Sequence, residues 1–250
     1  MKTFILFITA ICFTQIVSAQ VKVTDLAELP LKGHVKQVVE YTFHDSDKLA
    51  EKRILKFDVN GNQTEQLIFD GNGNMSFKIL YSYPSNNIVI TNQFDANGKL
   101  FLKCIYKYDD NGREIESDPD YGSNIQSAVS KFTFKYDRDG NRIEEDTYNT
   151  ENKISQKNIL LYNNKNQEIE LDSKGFLNNE SKFTYDSLGN QIKLETYNTD
   201  GAVNGGSVFS YSDVDNNGNW LLSTSETKGH SQWQGDYTFK NVIKRNIEYY

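Results

Sequence analysis

The side chains with the best claim to chemistry in this 250-residue chain are two tryptophans, one acidic loop and three histidines. Trp220 and Trp233 break an otherwise regular sequence period. A flat indole face beside Asp, Asn and Gln is how a protein holds a sugar ring, so these two are the candidate ligand-binding residues. Asp213-Val-Asp215-Asn-Asn217-Gly218-Asn219 is spaced like the opening of an oxygen-ligand calcium loop. Its twelfth position is Thr224, where such a loop needs a bidentate Glu, and no flanking helices are visible. An Asx turn explains it better, and no metal is assigned. His34, His44 and His230 stand in unrelated contexts, and no nucleophile elbow, zinc-protease helix or phosphate-binding glycine loop occurs. The 34 acidic residues contain many pairs that could be imagined as a glycosidase couple. An acidic residue in a turn is a turn residue first, so no catalytic residue and no cofactor is assigned.

The elements that must position these residues are set by a repeat. Lys131 to Asn149 returns 49 residues later, with Tyr136, Gly140 and Tyr148 answering to Tyr185, Gly189 and Tyr197. Its minimal unit is an aromatic residue, then Asp or Asn, two free positions, and Gly or Asn. Its Asp/Asn-x-x-Gly/Asn part occurs eleven times, at 58–61, 70–73, 95–98, 109–112, 137–140, 149–152, 163–166, 172–175, 186–189, 198–201 and 215–218; nine of these are entered through Phe or Tyr, and Leu171 and Val214 are the exceptions. Asp or Asn at the first position of a type I turn accepts a hydrogen bond from the backbone two residues on. Gly at the last position takes the positive φ that the following bulge requires. The structural turn residues are therefore Asp58 and Gly61, Asp70 and Gly73, Asp95 and Gly98, Asp109 and Gly112, Asp137 and Gly140, and Asp186 and Gly189, with Gly201 and Gly218 closing two more. Degenerate turns are expected near Pro84 to Asn87 and near Tyr121 to Asn124, where the spacing doubles.

Ahead of the turns the chain alternates: Phe132, Phe134 and Tyr136 fall on one side, Lys131, Thr133 and Lys135 on the other. Period two with one apolar and one polar face is a half-buried antiparallel strand. Consecutive turns lie about 12 or 14 residues apart, which leaves a usual strand length between them. The expected architecture is all-β, an antiparallel β-hairpin repeat array (meander) curling into a superhelical or open sheet. Array ends need atypical units that protect an exposed edge. Residues 20–56 and 219–250 are assigned that capping role around the repeats of 57–218, in a single domain.

Residues 1–19 read as a secretory signal peptide: Lys2, an apolar run from Phe4 to Val17 too short for a membrane span, and the small-residue site Val17-Ser18-Ala19. Export then places the mature chain in the periplasm, on the outer surface or outside the cell. Cleavage removes Cys12 and leaves Cys104 alone, so no intramolecular disulfide is available. On the apolar face of a strand Cys104 reads as an inert buried thiol. The whole chain carries a formal charge of −7, which becomes −8 without Lys2. An acidic chain with interspersed charge has no footprint for nucleic acid or for anionic lipid.

The Tyr-Asp-x-x-Gly-Asn units, clearest at Tyr136 to Asn141 and Tyr185 to Asn190, resemble the YD (RHS-type) repeats of bacterial secreted and cell-surface proteins. The ending, Asp215 to Trp220 followed by Arg245 to Tyr249, is similar to the close of small exported proteins of that type. The resemblance implies strips of β-hairpins wrapping into a sheet or shell, and for some members carbohydrate binding. It spans roughly Ile54 to Tyr249 and includes no toxin domain. Two functions are expected from this reading: a non-enzymatic carbohydrate-binding module, or a protein-interaction scaffold whose partner is an envelope protein.

Overall fold

The computed structural model describes residues 31–45, 48–122, 129–165, 167–175, 179–231 and 235–250. The assigned signal peptide and Trp233 lie outside them. Sixteen strands follow one another: β1 (Val35–His44), β2 (Lys48–Phe57), β3 (Gln63–Asp70), β4 (Met75–Ser85), β5 (Ile88–Asp95), β6 (Leu100–Tyr108), β7 (Glu114–Asp120) and β8 (Lys131–Tyr136). The second half comprises β9 (Arg142–Tyr148), β10 (Ile154–Tyr162), β11 (Glu168–Gly175), β12 (Asn179–Tyr185), β13 (Gln191–Tyr197), β14 (Val203–Val214), β15 (Trp220–Ser231) and β16 (Gly235–Tyr249).

Every strand pairs antiparallel with its sequence neighbours, as a meander requires, and β1 also pairs with β16. The open or superhelical sheet expected from the repeats is therefore corrected to a closed barrel of sixteen strands. The described strands of the two segments read as caps, β1 and β2 in the first and β15 and β16 in the second, are members of the wall. β1 and β16 align from Val35 opposite Tyr249 to His44 opposite Asn241. Pairing the two terminal strands satisfies both rows of edge N–H and C=O groups, which a cap would only cover.

The seam is locked at one rim. Asn219 accepts from the Lys32 backbone N–H at 2.7 Å and donates through Nδ2 to the Lys32 carbonyl at 2.9 Å. The same amide donates to Tyr249 Oη at 2.8 Å, and the Tyr249 hydroxyl donates to Asp215. Beside this clasp Leu31, Val35, Val38, Leu55 and Phe57 form the compact apolar core of the molecule. Among the described residues only eight hydrophobic side chains are buried, so the barrel is not filled by a continuous core.

Ten of the eleven sequence units are hairpin turns or lie at one. At Asp58 the Oδ1 atom accepts from the N–H of Asn60 and of Asn62, both at 2.9 Å, while the Gly61 N–H donates to the Asp58 carbonyl at 3.0 Å. The pattern repeats at Asp70, Asp95, Asp109, Asp137, Asp186 and Asp215. Asn152 takes φ 59°, the left-handed conformation that Asn tolerates best after Gly. The unit at 172–175 is a correction, because β11 runs straight through it. Gly175 serves close approach there: a Cβ at this position would lie 2.3 Å from the Ser155 carbonyl oxygen. The degenerate turn expected at Pro84 to Asn87 separates β4 from β5. Most of the connection between β7 and β8, where the other was expected, lies outside the described residues.

Gly140 sits at φ 89°. Gly140→Val is expected to cost on the order of 1 to 2 kcal/mol through left-handed strain, a fall of several degrees in Tm, while Arg138→Ser in the same turn is near neutral. Equal melting temperatures for the two variants would refute the strain argument.

Candidate functional site: the barrel lumen

The register divides all side chains into two faces. Val38 stands opposite Leu55, Thr91 opposite Cys104, Phe134 opposite Glu145, and Leu160 opposite Leu171, all on the concave face. Side chains converge on a concave face, and Val38, Leu55, Thr91, Cys104, Phe134 and Leu160 are all buried. Cys104 therefore sits where the sequence places it, and burial pushes its thiol further up from its ordinary value. On the convex face most strands offer Lys or Glu, β5 and β14 being exceptions, and exposed Ile115, Ile143, Leu161, Ile169 and Val208 stand among them. Glu65 bridges Lys56 at 2.5 Å and Lys78 at 3.4 Å, and Glu144 bridges Lys135 at 2.5 Å and Lys157 at 2.8 Å. Lys107 holds Glu116 and Asp118, and Glu226 holds Lys228 and Lys240. The Lys135 side chain is 64% exposed, whereas Arg142 on the concave face is 16% exposed.

The aromatic residues that precede the turns split between these faces. At one rim Phe57, Tyr83, Tyr136, Tyr162, Tyr185 and Tyr211 point into the lumen. At the other rim Phe69, Tyr148 and Tyr197 point outward, each beneath a lysine ammonium: Lys52, Lys131 and Lys182, at 5.6, 4.7 and 5.1 Å from the ring centroids. Inward rings reach back to the preceding strand. Tyr83 donates to the Gln63 carbonyl at 2.7 Å, Tyr136 to that of Glu114 at 2.6 Å, and Tyr211 to that of Gln191 at 2.9 Å. Each ring thus lies across the gap between strands, and together they form an aromatic collar at that end of the lumen.

Trp220 belongs to this collar. Its ring packs on Tyr211 at 5.5 Å between centroids, and the Arg245 guanidinium lies 3.4 Å from its own centroid. Arg245 is held in turn by Glu40 at 2.7 Å. The Asp215 carboxylate of the calcium-like loop is occupied by protein donors: the N–H groups of Asn217 and Asn219 and the Tyr249 hydroxyl. Among the described residues no group of His, Cys, Asp and Glu is arranged to hold a metal ion.

The lumen holds a charged cluster that sequence reasoning missed. Arg142 lies 3.3 Å from Glu114 and 3.1 Å from Glu145, with its guanidinium 4.1 Å from the centroid of the Phe134 ring. Glu145 accepts from Asn158 Nδ2 at 3.3 Å, and Asn158 Oδ1 accepts from Ser173 at 2.9 Å. Burial pushes the Glu114 carboxyl above its ordinary range against the pull of Arg142. Burial also works against the Arg142 charge, yet Tyr136, Glu114 and Glu145 hold it firmly protonated. The signal that could have found this cluster is positional. The residue after each collar-end turn, as at Gln63, Glu114, Arg142, Glu168 and Trp220, starts a strand at the collar.

No protein-family model and no curated protein matches this chain. Among solved structures the fold is similar to that of a porin-like protein from Bacteroides uniformis, with TM-score 0.59 and 13% identity over 87% of this chain and 98% of that one. At that identity the likeness shows the barrel fold alone.

Burial raises the collar tyrosines, and Tyr185 is pushed up to about 12 with Glu168 adding to the shift. A raised tyrosine stabilises the fold below its unfolded value near 10, and that contribution is lost as pH rises through about 12. In an absorbance titration at the phenolate band, Tyr185→Phe is expected to remove a component near pH 12. Loss of a component near the unperturbed value instead would show the collar to be open to water.

Proposed function

We propose that this chain is an exported, non-enzymatic binding barrel with water both around and inside it, and that its lumen takes carbohydrate. The observation that carries this reading is the distribution of side chains over the two faces. A barrel wall solvated by lipid needs an outward apolar band about 25 Å tall, and a charge there costs up to about 2 to 4 kcal/mol at the midplane. The convex face here carries cross-strand Lys–Glu pairs between β2 and β3, β3 and β4, β6 and β7, β8 and β9, β9 and β10, and β15 and β16. Exposed Ile115, Ile143, Leu161, Ile169 and Val208 are scattered among them rather than joined in an unbroken apolar band. Such a wall suits water. Sixteen strands are wide enough to leave an aqueous interior, and the scarcity of fully buried apolar side chains agrees with one.

The lumen lining is of the kind that binds sugars: aromatic faces for the apolar C–H side of a pyranose, and amides and hydroxyls for its polar rim. Gln63, Gln66, Gln156 and Asn158 supply amides on the concave face. The signal-like residues 1–19 and the shared fold with a porin-like protein fit a role at the cell envelope. A second reading, a protein-binding scaffold, is favoured by a different feature. Val59, Leu188 and Val214, which are 67%, 84% and 61% exposed, lie at turns of the collar rim.

Two measurements test the proposal. The mature chain should purify as a monodisperse species without detergent, and a requirement for detergent would overturn the water-solvated wall. On a glycan array, selective binding is expected to weaken about tenfold in Trp220→Ala, in line with the loss of one aromatic platform, and to persist in Lys107→Ala on the convex face. Absence of any glycan binding would move the role to the exposed rim.

A further inference from the structure

Where β16, β1 and β2 meet, the concave face carries a row of charge across the seam. Glu40 stands opposite Arg245 on one side and opposite Arg53 on the other. Val38 and Leu55, each two residues along the same strand, are buried in the lumen wall and fix the face of the row. Arg245 reaches Glu40 through Nε at 2.7 Å, and Arg53 reaches Glu51 through Nε at 2.5 Å. Each guanidinium is thus tied to its own carboxylate by its inner nitrogen.

A guanidinium holds five N–H donors in a planar fork, and a carboxylate that meets Nε occupies one side of that fork. The outer edge, formed by Nη1 and Nη2, is turned away from the tether. Among the described residues neither arginine has a second carboxylate within bridging distance. Arg142 differs: it spends Nε on Tyr136, Nη1 on Glu145 and Nη2 on Glu114, so its fork is full.

A second, independent observation concerns orientation. The Arg245 guanidinium lies 3.4 Å from the centroid of the Trp220 ring, and the indole packs on Tyr211, whose hydroxyl is tied to the Gln191 carbonyl. Stacking fixes the plane of the fork, and the Glu40 contact fixes its rotation within that plane. The Nη edge of Arg245 is therefore pre-organised. The Arg245 side chain is 13% exposed and that of Arg53 is 45% exposed, so one fork is set into the wall and the other stands open on it. Two strand spacings separate them, about 10 Å.

We propose that the lumen is selective for an acidic oligosaccharide, a uronate chain whose carboxylates dock on the outer edges of Arg245 and Arg53. This rests on the reading of the lumen as a carbohydrate site and names the class of sugar. A carboxylate is planar and meets the two parallel N–H bonds of an Nη edge, a fit that a hydroxyl or an amide does not reproduce. A chain suits two forks on one row better than a single ring does, because its carboxylates recur along it. Glu40 and Glu51 balance the charge of the empty row, and their tethers hold the forks in place before a ligand arrives.

The test compares three ligands by titration calorimetry at about pH 7 and low salt, where carboxylates are ionised. They are the α-1,4 galacturonate tetramer, its methyl ester, and glutarate, a dicarboxylate with no sugar ring. The wild-type chain is expected to bind the acid tetramer at least about tenfold more tightly than either of the others. The preference over the ester should fall at least about threefold in Arg245→Lys and in Arg53→Lys, which keep the charge and lose the fork. It should persist in Lys244→Gln, which removes a cation from the convex face of β16. The wild-type comparison needs no variant to fold. An acid tetramer bound no better than its ester would overturn the acid site and leave the carbohydrate lumen standing. No binding of either tetramer would overturn it too, and binding of another glycan on the array would then keep the carbohydrate lumen apart from it. Glutarate bound as tightly as the tetramer would reduce the row to a general anion site and sink the proposal. So would a preference that both lysine variants keep, or that Lys244→Gln abolishes.

Discussion

Everything in this molecule depends on the pairing of its first strand with its last. Fourteen strands of a meander have both edges satisfied by their sequence neighbours, while β1 and β16 would each present a bare row of donors and acceptors. Joining them removes the edges and gives the sheet an inside and an outside. The clasp around Asn219 explains why the seam closes in one register. The side-chain amide takes both polar groups of the Lys32 peptide, and the Tyr249 hydroxyl ties it to Asp215, so the chain ahead of β1, the end of β16 and the turn before β15 meet at one point. A slip by one residue would break these contacts and turn every side chain to the other face.

Closure also decides what the alternation of the strands means. In an open sheet one face could be covered and the other solvated without an enclosed volume. In a barrel the same period two separates a converging face from a diverging one. Most lysines and many glutamates are found on the diverging face, where Glu65 and Glu144 each reach ammonium groups on both neighbouring strands. Exposed pairs of this kind contribute little individually, so their main effect is on solvation and on keeping the wall from associating through its surface. The aromatic residues on that face are covered by lysine stems, as Lys131 covers Tyr148.

The repeat was legible because it follows from backbone sterics: an Asp that can accept two N–H groups and a Gly that can take positive φ recur wherever the chain reverses. The strand order was legible for the same reason. What could not be read was closure, since nothing in residues 35–44 or 235–249 states that the two segments meet. The sidedness of the aromatics was hidden by the parity of their spacing. Tyr136 to Tyr148 is 12 residues and Tyr148 to Tyr162 is 14, both even, so plain alternation keeps every turn-preceding ring on one face, and the bulge beside each turn is what sends it outside at one rim and back inside at the other. The unit at 172–175 misled because it matches the pattern while its glycine meets a different need, the close passage of the β10 backbone.

The lumen cluster escaped the sequence for a deeper reason. Glu114, Arg142 and Glu145 belong to different hairpins, or to different faces of a naive alternation, and a bulge after each turn shifts the parity that a reader would apply. In Arg142-Ile-Glu-Glu145 the second and third residues face away, and only the bulge lets the first and fourth point the same way. Charged residues at such positions are costly in a dry core and useful in a wet lumen, where partial hydration lowers their desolvation cost while the wall still limits their partners. On the function proposed above, an interior that keeps glutamates beside aromatic rings suits a polar occupant, whereas on the convex face Lys and Glu are paired largely with one another.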